Sequence, residues 1–279
     1  MGGGEPVSRH WVAKSDQTPP EWPSRMLDIH CHILPEVDDG ASSVDEALAM
    51  ARFCVRDGIT HVVATPHCHR HCRLLRSDIL PHVARLRGAL AGANIPLSVL
   101  PGSEVQVTDT AAYRCDLEAG LYCHLGDNSA FTLLEFNWNP EQYPPDAAEL
   151  IGWMRERGTT PIIAHPERHP FFADDSGRLR KLVEAGAWLQ VTVDSLLGNH
   201  GVAPQVFGES LLRVYSDVVL ATDAHNLRRC SGLSAGYTWV AKRIGAERAK
   251  QFRERSDQVL QSGHGIEQEC QRSARGRSK

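Results

Sequence analysis

Seven short β-rich runs, at residues 27–33, 60–65, 97–100, 131–136, 161–164, 188–193 and 218–222, punctuate the chain, and segments of helical periodicity separate them. Ser43 and Glu46 have capping-box spacing and open a helix that Gly58 ends. Residues 78–90 place Ile79, Val83, Leu86 and Leu90 on one helical face, and further helices are expected at 147–157, 179–185 and 235–250. Strands that alternate with helices build an α/β parallel sheet, either open or closed into a barrel. The 279 residues suit one (β/α) barrel of about 250 residues as well as two domains of about 150.

The rest of the sequence narrows the function classes. Lys and Arg number 30 against 34 Asp and Glu, a formal charge of −4, so there is no basic footprint for nucleic acid. No apolar stretch approaches the roughly 18 residues of a membrane span, and the first residues lack the apolar run of a secretory signal. A cytoplasmic location with reduced cysteines is therefore expected. The eight cysteines are scattered and form no paired CxxC knuckles, so neither a disulfide framework nor a zinc ribbon is read. Residues 1–25 read as a flexible leader and 262–279 as a polar, basic tail, leaving 26–261 as the folded unit.

The chemistry sits at the strand ends. His30 and His32 end the first run, and Asp38 and Asp39 follow. His67 ends the second, with His69 close by, and Glu104 follows the third. Glu135 lies in the fourth (FTLLEF), His165 ends the fifth, and Asp223 and His225 end the seventh. In α/β barrels the C-terminal ends of the strands carry the active site. Side chains alternate along a strand, so His30 and His32 share a face, as do Asp223 and His225. A lone carboxylate in an apolar strand, as at Glu135, needs a cation to offset its burial. Imidazole nitrogens beside carboxylate oxygens suit zinc, manganese or iron, and carboxylates can bridge two such ions.

These residues fall in segments that resemble a known family. DIHCHILPEVDDGASSVDEALAMA is similar to the first motif of the PHP (polymerase and histidinol phosphatase) superfamily. ATPH at 64–67, PGSEV at 101–105, LLEF at 133–136, AHPER at 164–168, SLLG at 195–198 and TDAHN at 222–226 agree in order. The resemblance covers about residues 26–255 and is most specific to the bacterial PHP-class protein-tyrosine phosphatases of capsule and exopolysaccharide gene clusters.

That resemblance implies a distorted (β/α)7 barrel, the PHP fold, with a trinuclear metal centre loaded with manganese, iron and zinc being the alternatives. It implies His30 and His32 as ligands of the first ion, Glu104 as a bridge, Glu135 and His165 at the second ion, and Asp39 and His67 at the third, with Asp223 and His225 closing the set. Asp39 is favoured over Asp38 because it precedes Gly40. Arg168 corresponds to an arginine that grips the substrate phosphate. The position of a second such arginine holds Cys230 here, with Arg228 and Arg229 just before it, and Arg229 is taken as its replacement. His69 is a candidate acid for the leaving oxygen. Glu36 stands where the family motif has glycine. Cys68, His69, His71 and Cys72 read as a rim loop in preference to a separate zinc site.

The implied reaction is phosphomonoester hydrolysis, with a phosphotyrosine protein, the Tyr-rich tail of a bacterial tyrosine kinase, as substrate. Cys31 sits between two metal histidines and outside any CxxxxxR loop, so it is rejected as a nucleophile. A PHP phosphatase of a small phosphomonoester such as histidinol phosphate is the runner-up. An amidohydrolase would want a bridging lysine that LLEF and PIIAHPER lack, and a non-catalytic metal scaffold fits the ligand set less well.

Overall fold

The computed structural model describes residues 25–127 and 130–261. The expected leader, apart from Arg25, and the expected tail lie outside the described residues. In chain order the strands are β1 (Leu27–Cys31), β2 (His61–Ala64), β3 (His67–His69), β4 (Cys72–Arg73), β5 (Ser98–Pro101), β6 (Glu104–Val107), β7 (Phe131–Phe136), β8 (Thr160–Ile163), β9 (Trp188–Thr192) and β10 (Val218–Ala221). The helices are α1 (Val44–Asp57), α2 (Arg76–Gly92), α3 (Thr110–Glu118), α4 (Ala147–Glu156), α5 (Pro170–Asp174), α6 (Ser176–Glu184), α7 (Val193–Leu196), α8 (Val202–Val214), α9 (Leu233–Arg243) and α10 (Ala246–Gln261).

Parallel pairings connect all these strands but β4, which pairs antiparallel with β3, in two sheets that follow one another in a ring. β1 pairs β2, and β2 pairs β5. Two strand positions are then broken in mid-course. Pro66, which has no N–H for a ladder, separates β2 from β3. Gly102 separates β5 from β6, and a side chain there would meet Val63 Cγ1 at 2.7 Å. Beyond the breaks β3 pairs β6, followed by β7, β8, β9 and β10 in turn. The circuit closes through a parallel bridge between Cys31 and Ala224, where His32 N–H donates to the Ala224 carbonyl at 2.8 Å and Asp223 N–H to the His30 carbonyl at 2.9 Å. The buried Asp28 carboxylate reinforces this seam. It accepts from Thr222 N–H (3.1 Å) and Thr222 Oγ–H (2.5 Å), and burial pushes its pKa up to about 6. The arrangement is a mixed α/β architecture of parallel strands and helices, the fold class that the resemblance implies.

Alternation along the strands sets the polarity of the ring. Phe131 and Leu133 of β7, Ile162 of β8 and Val219 and Ala221 of β10 share one apolar cluster. Glu135 and Asp223 continue the same phase toward the C-terminal ends. The opposite strand faces, with Val62, Leu134, Ile163, Leu189 and Leu220, pack against the helices in a second, larger cluster.

Local details follow the expected chemistry, with some corrections. Ser43 Oγ accepts from Glu46 N–H, and Gly58 (φ 90°) ends α1 in the left-handed conformation. The Glu46 carboxylate, however, accepts from Ser42 N–H and Oγ–H (2.9 and 2.6 Å), one residue before the capping-box partner. The single helix expected at 235–250 is two, α9 and α10, parted at Gly245 with φ 141°. Helices α3, α5, α7 and α8 and strands β3, β4 and β6 are additional to the expected elements. Among the described residues no helix is long and apolar enough to cross a membrane.

Candidate metal centre

The C-terminal strand ends bring all nine expected donors into one chamber. His30 and His32 project from the end of β1 with their Nε2 atoms 3.2 Å apart. Glu104, at the start of β6 beyond the glycine break, places Oε2 3.4 Å from each of them. Asp223 Oδ1 lies 3.3 Å from His30 Nε2 and 3.4 Å from His32 Nε2. His67 Nδ1 approaches Glu104 Oε2 to 2.9 Å, and Asp39 Oδ1 lies 3.4 Å from both His67 Nε2 and His225 Nε2. His165 Nε2 reaches Glu104 Oε1 at 3.0 Å and Glu135 Oε1 at 3.9 Å.

The outward ring nitrogens settle where the protons are. Gln190 Oε1, in β9, accepts from His30 Nδ1–H (3.0 Å) and from His165 backbone N–H (3.1 Å). Asp38 Oδ2 accepts from His32 Nδ1–H at 2.7 Å, and the Asp223 carbonyl accepts from His225 Nδ1–H at 2.9 Å. A neutral imidazole carries one proton, so each of these rings turns an Nε2 lone pair inward. Lone pairs then face one another and face carboxylate oxygens. Although His67 Nδ1 and Glu104 Oε2 are close, neither has an aligned hydrogen-bond partner among the described residues. Such a set repels itself unless cations lie among the donors.

The spacing fits cations. Donors about 2.0–2.2 Å from one ion and subtending roughly 90–110° are about 2.8–3.6 Å apart. The donor pairs around His30 and His32 fall at 3.2–3.4 Å. Three overlapping groups hold donor atoms within 4.8 Å of one another: His30, His32 and Glu104; His67, Glu104 and Glu135; and His32, Asp39, His67 and His225. Glu104 belongs to two of them, the position of a bridging carboxylate. A fourth group joins Glu135 and His165 to His169.

Without cations among the donors, protons on the inward nitrogens take their place. Burial opposes charge on His32, but hydrogen bonds with Asp223, Asp38 and Glu104 reverse it and hold the imidazolium well above its ordinary range. The His225 and His67 hydrogen bonds keep Asp39 far below the usual carboxylate range. Burial and the Glu104 charge push Glu135 up.

The backbone is bent to deliver these groups. His165 (φ 30°) and Asp223 (φ 51°) both occupy the left-handed region, which non-glycine residues rarely adopt outside constrained sites. Glu36, in the glycine position of the first motif, is also left-handed (φ 62°). Gly40 has no such freedom to lose, because a Cβ there would lie 2.1 Å from the His32 carbonyl. Of the adjacent aspartates, Asp39 faces the donors with its side chain 61% exposed. Asp38 lies behind, holding His32, His67 N–H (3.1 Å) and Gly40 N–H (2.9 Å).

The expected non-metal residues separate. Arg168 enters the chamber, where Nη1 pairs with Asp223 Oδ2 and the side chain is 18% exposed. Arg229 is half-buried and its charge is felt at His200, as is that of Arg168. Arg228 is exposed and its charge is felt at Glu46 instead. His69 Nδ1 accepts from His71 and Cys72 N–H groups at 3.1 Å each, which puts its proton on Nε2. Burial, aided by His67 and His71, lowers its pKa. His69 is therefore a neutral hydrogen-bond donor at the rim, a weaker proton source than an imidazolium. Cys68, His69, His71 and Cys72 form no metal-type group among the described residues. Cys31 is buried with its thiol pushed well up, and Cys72 Sγ–H donates to the Val37 carbonyl at 3.3 Å.

Several further side chains support the centre beyond the expected set. Gln190 is a buried amide in the apolar run WLQVTV, the same kind of anomaly as Glu135. Glu167 is buried next to Arg168, accepting from Thr192 N–H (3.0 Å) and Ser195 Oγ–H (2.8 Å). Asp194 accepts from Asn199 Nδ2–H (2.7 Å) and from Ser231 Oγ–H, joining α7 to the loop of Arg229. Trp138, 42% exposed, stacks on His169 at 4.2 Å between ring centres, and the Arg168 guanidinium lies 5.3 Å from its ring centre.

Residues 26–261 match the family model for capsular polysaccharide synthesis, CpsB/CapC. The chain is 35% identical over 204 residues to the tyrosine-protein phosphatase YwqE of Bacillus subtilis, covering 73% of this chain and 78% of that one. It is 28% identical over 239 residues to the tyrosine-protein phosphatase CpsB of Streptococcus pneumoniae, covering 81% and 94%. A chain from the crystal structures of YwqE and CpsB, described as unique metal-dependent tyrosine phosphatases, superposes with a TM-score of 0.79 at 32% identity, covering 85% of this chain and 94% of that one.

Proposed function

This chain belongs to the CpsB/CapC family of capsular polysaccharide synthesis, and we propose that it is a metal-dependent protein-tyrosine phosphatase. The observation that carries the reading is the inward turn of three Nε2 lone pairs, those of His30, His32 and His225, toward Glu104, Asp223 and Asp39. The substrate is a phosphotyrosine protein, the tail of a bacterial tyrosine kinase that governs polysaccharide export, and the reaction takes place in the cytoplasm. His30, His32, Asp39, His67, Glu104, Glu135, His165, Asp223 and His225 would hold the metal ions, manganese first among them, with iron and zinc the alternatives. When bound, such ions lower the pKa of water and neutralise charge on phosphoryl oxygens.

The chain's own groups bind and orient the ester. Arg168 spends one N–H on Asp223 and keeps the rest of its planar fork for phosphoryl oxygens. Arg229 supplies a second positive charge from the loop after β10. His69 offers Nε2–H at the rim. A polar recess of about 230 Å³, lined by His69, Arg70, His71, Gln106, Asn137 and Gln142, adjoins the centre through Gln106, whose Nε2–H donates to Glu135 at 3.0 Å. That recess and the exposed Trp138 offer surface to a peptide flanking the phosphotyrosine.

The test is hydrolysis of a phosphotyrosine peptide beside histidinol phosphate, with manganese and then with chelator. Manganese-dependent release from the peptide is expected. Release from histidinol phosphate alone overturns the substrate, and release that survives complete metal removal overturns the metal centre.

A further inference from the structure

His169 stands in the chamber without any place in the ligand set that the motifs imply. It follows Arg168 and precedes α5, and it is 0% exposed. Neither Nδ1 nor Nε2 has a hydrogen-bond partner among the described residues. A neutral imidazole has one N–H and one lone pair, and leaving a buried polar group unpartnered costs about 1–3 kcal/mol. Native structures rarely carry such a pair of orphans without a reason.

Its neighbours supply one. The ring is pinned between Trp138, stacked at 4.2 Å, and Phe171, with ring centres 5.1 Å apart. The His165 ring lies 5.6 Å away at an angle of 30°. One ring nitrogen of His169, one of His165 and a carboxylate oxygen of Glu135 all lie within 4.8 Å of one another. Glu135 Oε2 is occupied by Gln106, while Oε1 turns toward His165 at 3.9 Å. Two imidazoles and one carboxylate oxygen thus converge in a buried place: His165 Nε2 meets Glu104 Oε1 at 3.0 Å, while His165 Nδ1 and both His169 nitrogens have no hydrogen-bond partner among the described residues.

We propose that His169 is a metal ligand, adding a second imidazole to the ion position formed by Glu135 and His165. The inference rests on the reading of the chamber as a metal centre. It also carries a selectivity. Imidazole favours zinc and iron, whereas carboxylate and water favour manganese. The added imidazole therefore shifts this position toward zinc or iron relative to one built on Glu135 and His165 alone.

The experiment compares the full-length parent with His169→Phe, which keeps an aromatic ring against Trp138, and with His169→Asn. Metal retained per chain is measured by elemental analysis after loading with zinc or manganese and challenge with a graded chelator, and melting is followed in apo and loaded forms. The expected result is loss of one zinc equivalent from the variants. The affinity at that position falls by more than roughly 100-fold, the ceiling for losing a mere outer partner of a ligand. Apo His169→Phe melts no lower than the apo parent, and the zinc-over-manganese preference shrinks. Unchanged zinc content and affinity in folded variants overturn the proposal and leave His169 a core residue. A parent that retains no metal overturns the metal-centre reading itself. If neither variant folds, the cobalt-loaded parent decides by NMR: a contact-shifted His169 ring supports ligation, and an unshifted one refutes it.

Discussion

Replacing Gln190 by methionine tests how the chamber is organised, because the change keeps side-chain length and removes the amide. Gln190 Oε1 accepts from His30 Nδ1–H at 3.0 Å and His165 N–H at 3.1 Å, and its Nε2–H donates to Thr192 Oγ1 at 3.1 Å. Gln190 is fully buried, so water cannot replace it. Two buried donors lose their acceptor, at about 1–3 kcal/mol each. His30 can recover part of this by moving its proton to Nε2, so the expected loss of apo stability is about 2–4 kcal/mol. That same proton shift removes the inward lone pair, and loss of such a partner weakens metal binding by about 10–100-fold. Urea denaturation of the apo protein reads the first quantity, and competition with a metal-binding dye reads the second. Gln190→Glu keeps an acceptor for both donors and should retain metal affinity better than Gln190→Met. A methionine variant that binds metal as tightly as the parent would refute the reasoning, since the orientation of His30 would then owe nothing to Gln190.

Three further predictions follow from other parts of the molecule. Arg168→Lys keeps the charge near Asp223 but loses the planar fork, so turnover of a phosphotyrosine peptide should fall about 100-fold with metal content unchanged, as read by parallel kinetics and elemental analysis. Glu36→Gly relieves a left-handed backbone at an exposed position and should stabilise the protein by about 1 kcal/mol in thermal or urea unfolding. Asp57 caps the start of α9 through Ser234 N–H (3.0 Å) and Oγ–H (2.5 Å), and burial raises its pKa despite these bonds. Its folded form binds the proton more tightly than the unfolded form, so the associated stability is present below the ordinary carboxylate pKa and is lost as pH rises through the folded value. The stability of Asp57→Asn relative to the parent should therefore improve as pH rises across that window, and an unchanged difference from pH 3 to pH 7 would sink the assignment.

Much of the centre is legible in the sequence because local rules apply there. A strand has period two, so HxH and DxH each put both side chains on one face, and a carboxylate in FTLLEF cannot be buried without a partner. Buried apolar runs and a capped helix such as α1 announce themselves in the same way. Helix α8 does not, because Val202, Val206 and Val214 are exposed and blur its buried stripe, and β3 and β4 are too short to show alternation.

Tertiary structure alone decided the rest. Asp38 and Asp39 are adjacent, and only the turn at Gly40 sends one toward the donors and the other behind His32. The protons of His30 and His32 are placed by Gln190 and Asp38, partners 160 and 6 residues away. Nothing local marks His169, and only the fold buries it beside Glu135 and His165. Chemical type and strand phase mark nine candidate donors in the sequence, and they do not reach His169. Which lone pairs face inward, and which buried nitrogens lack a partner, depends on contacts between segments far apart in the chain, and those exist only once the ring has closed.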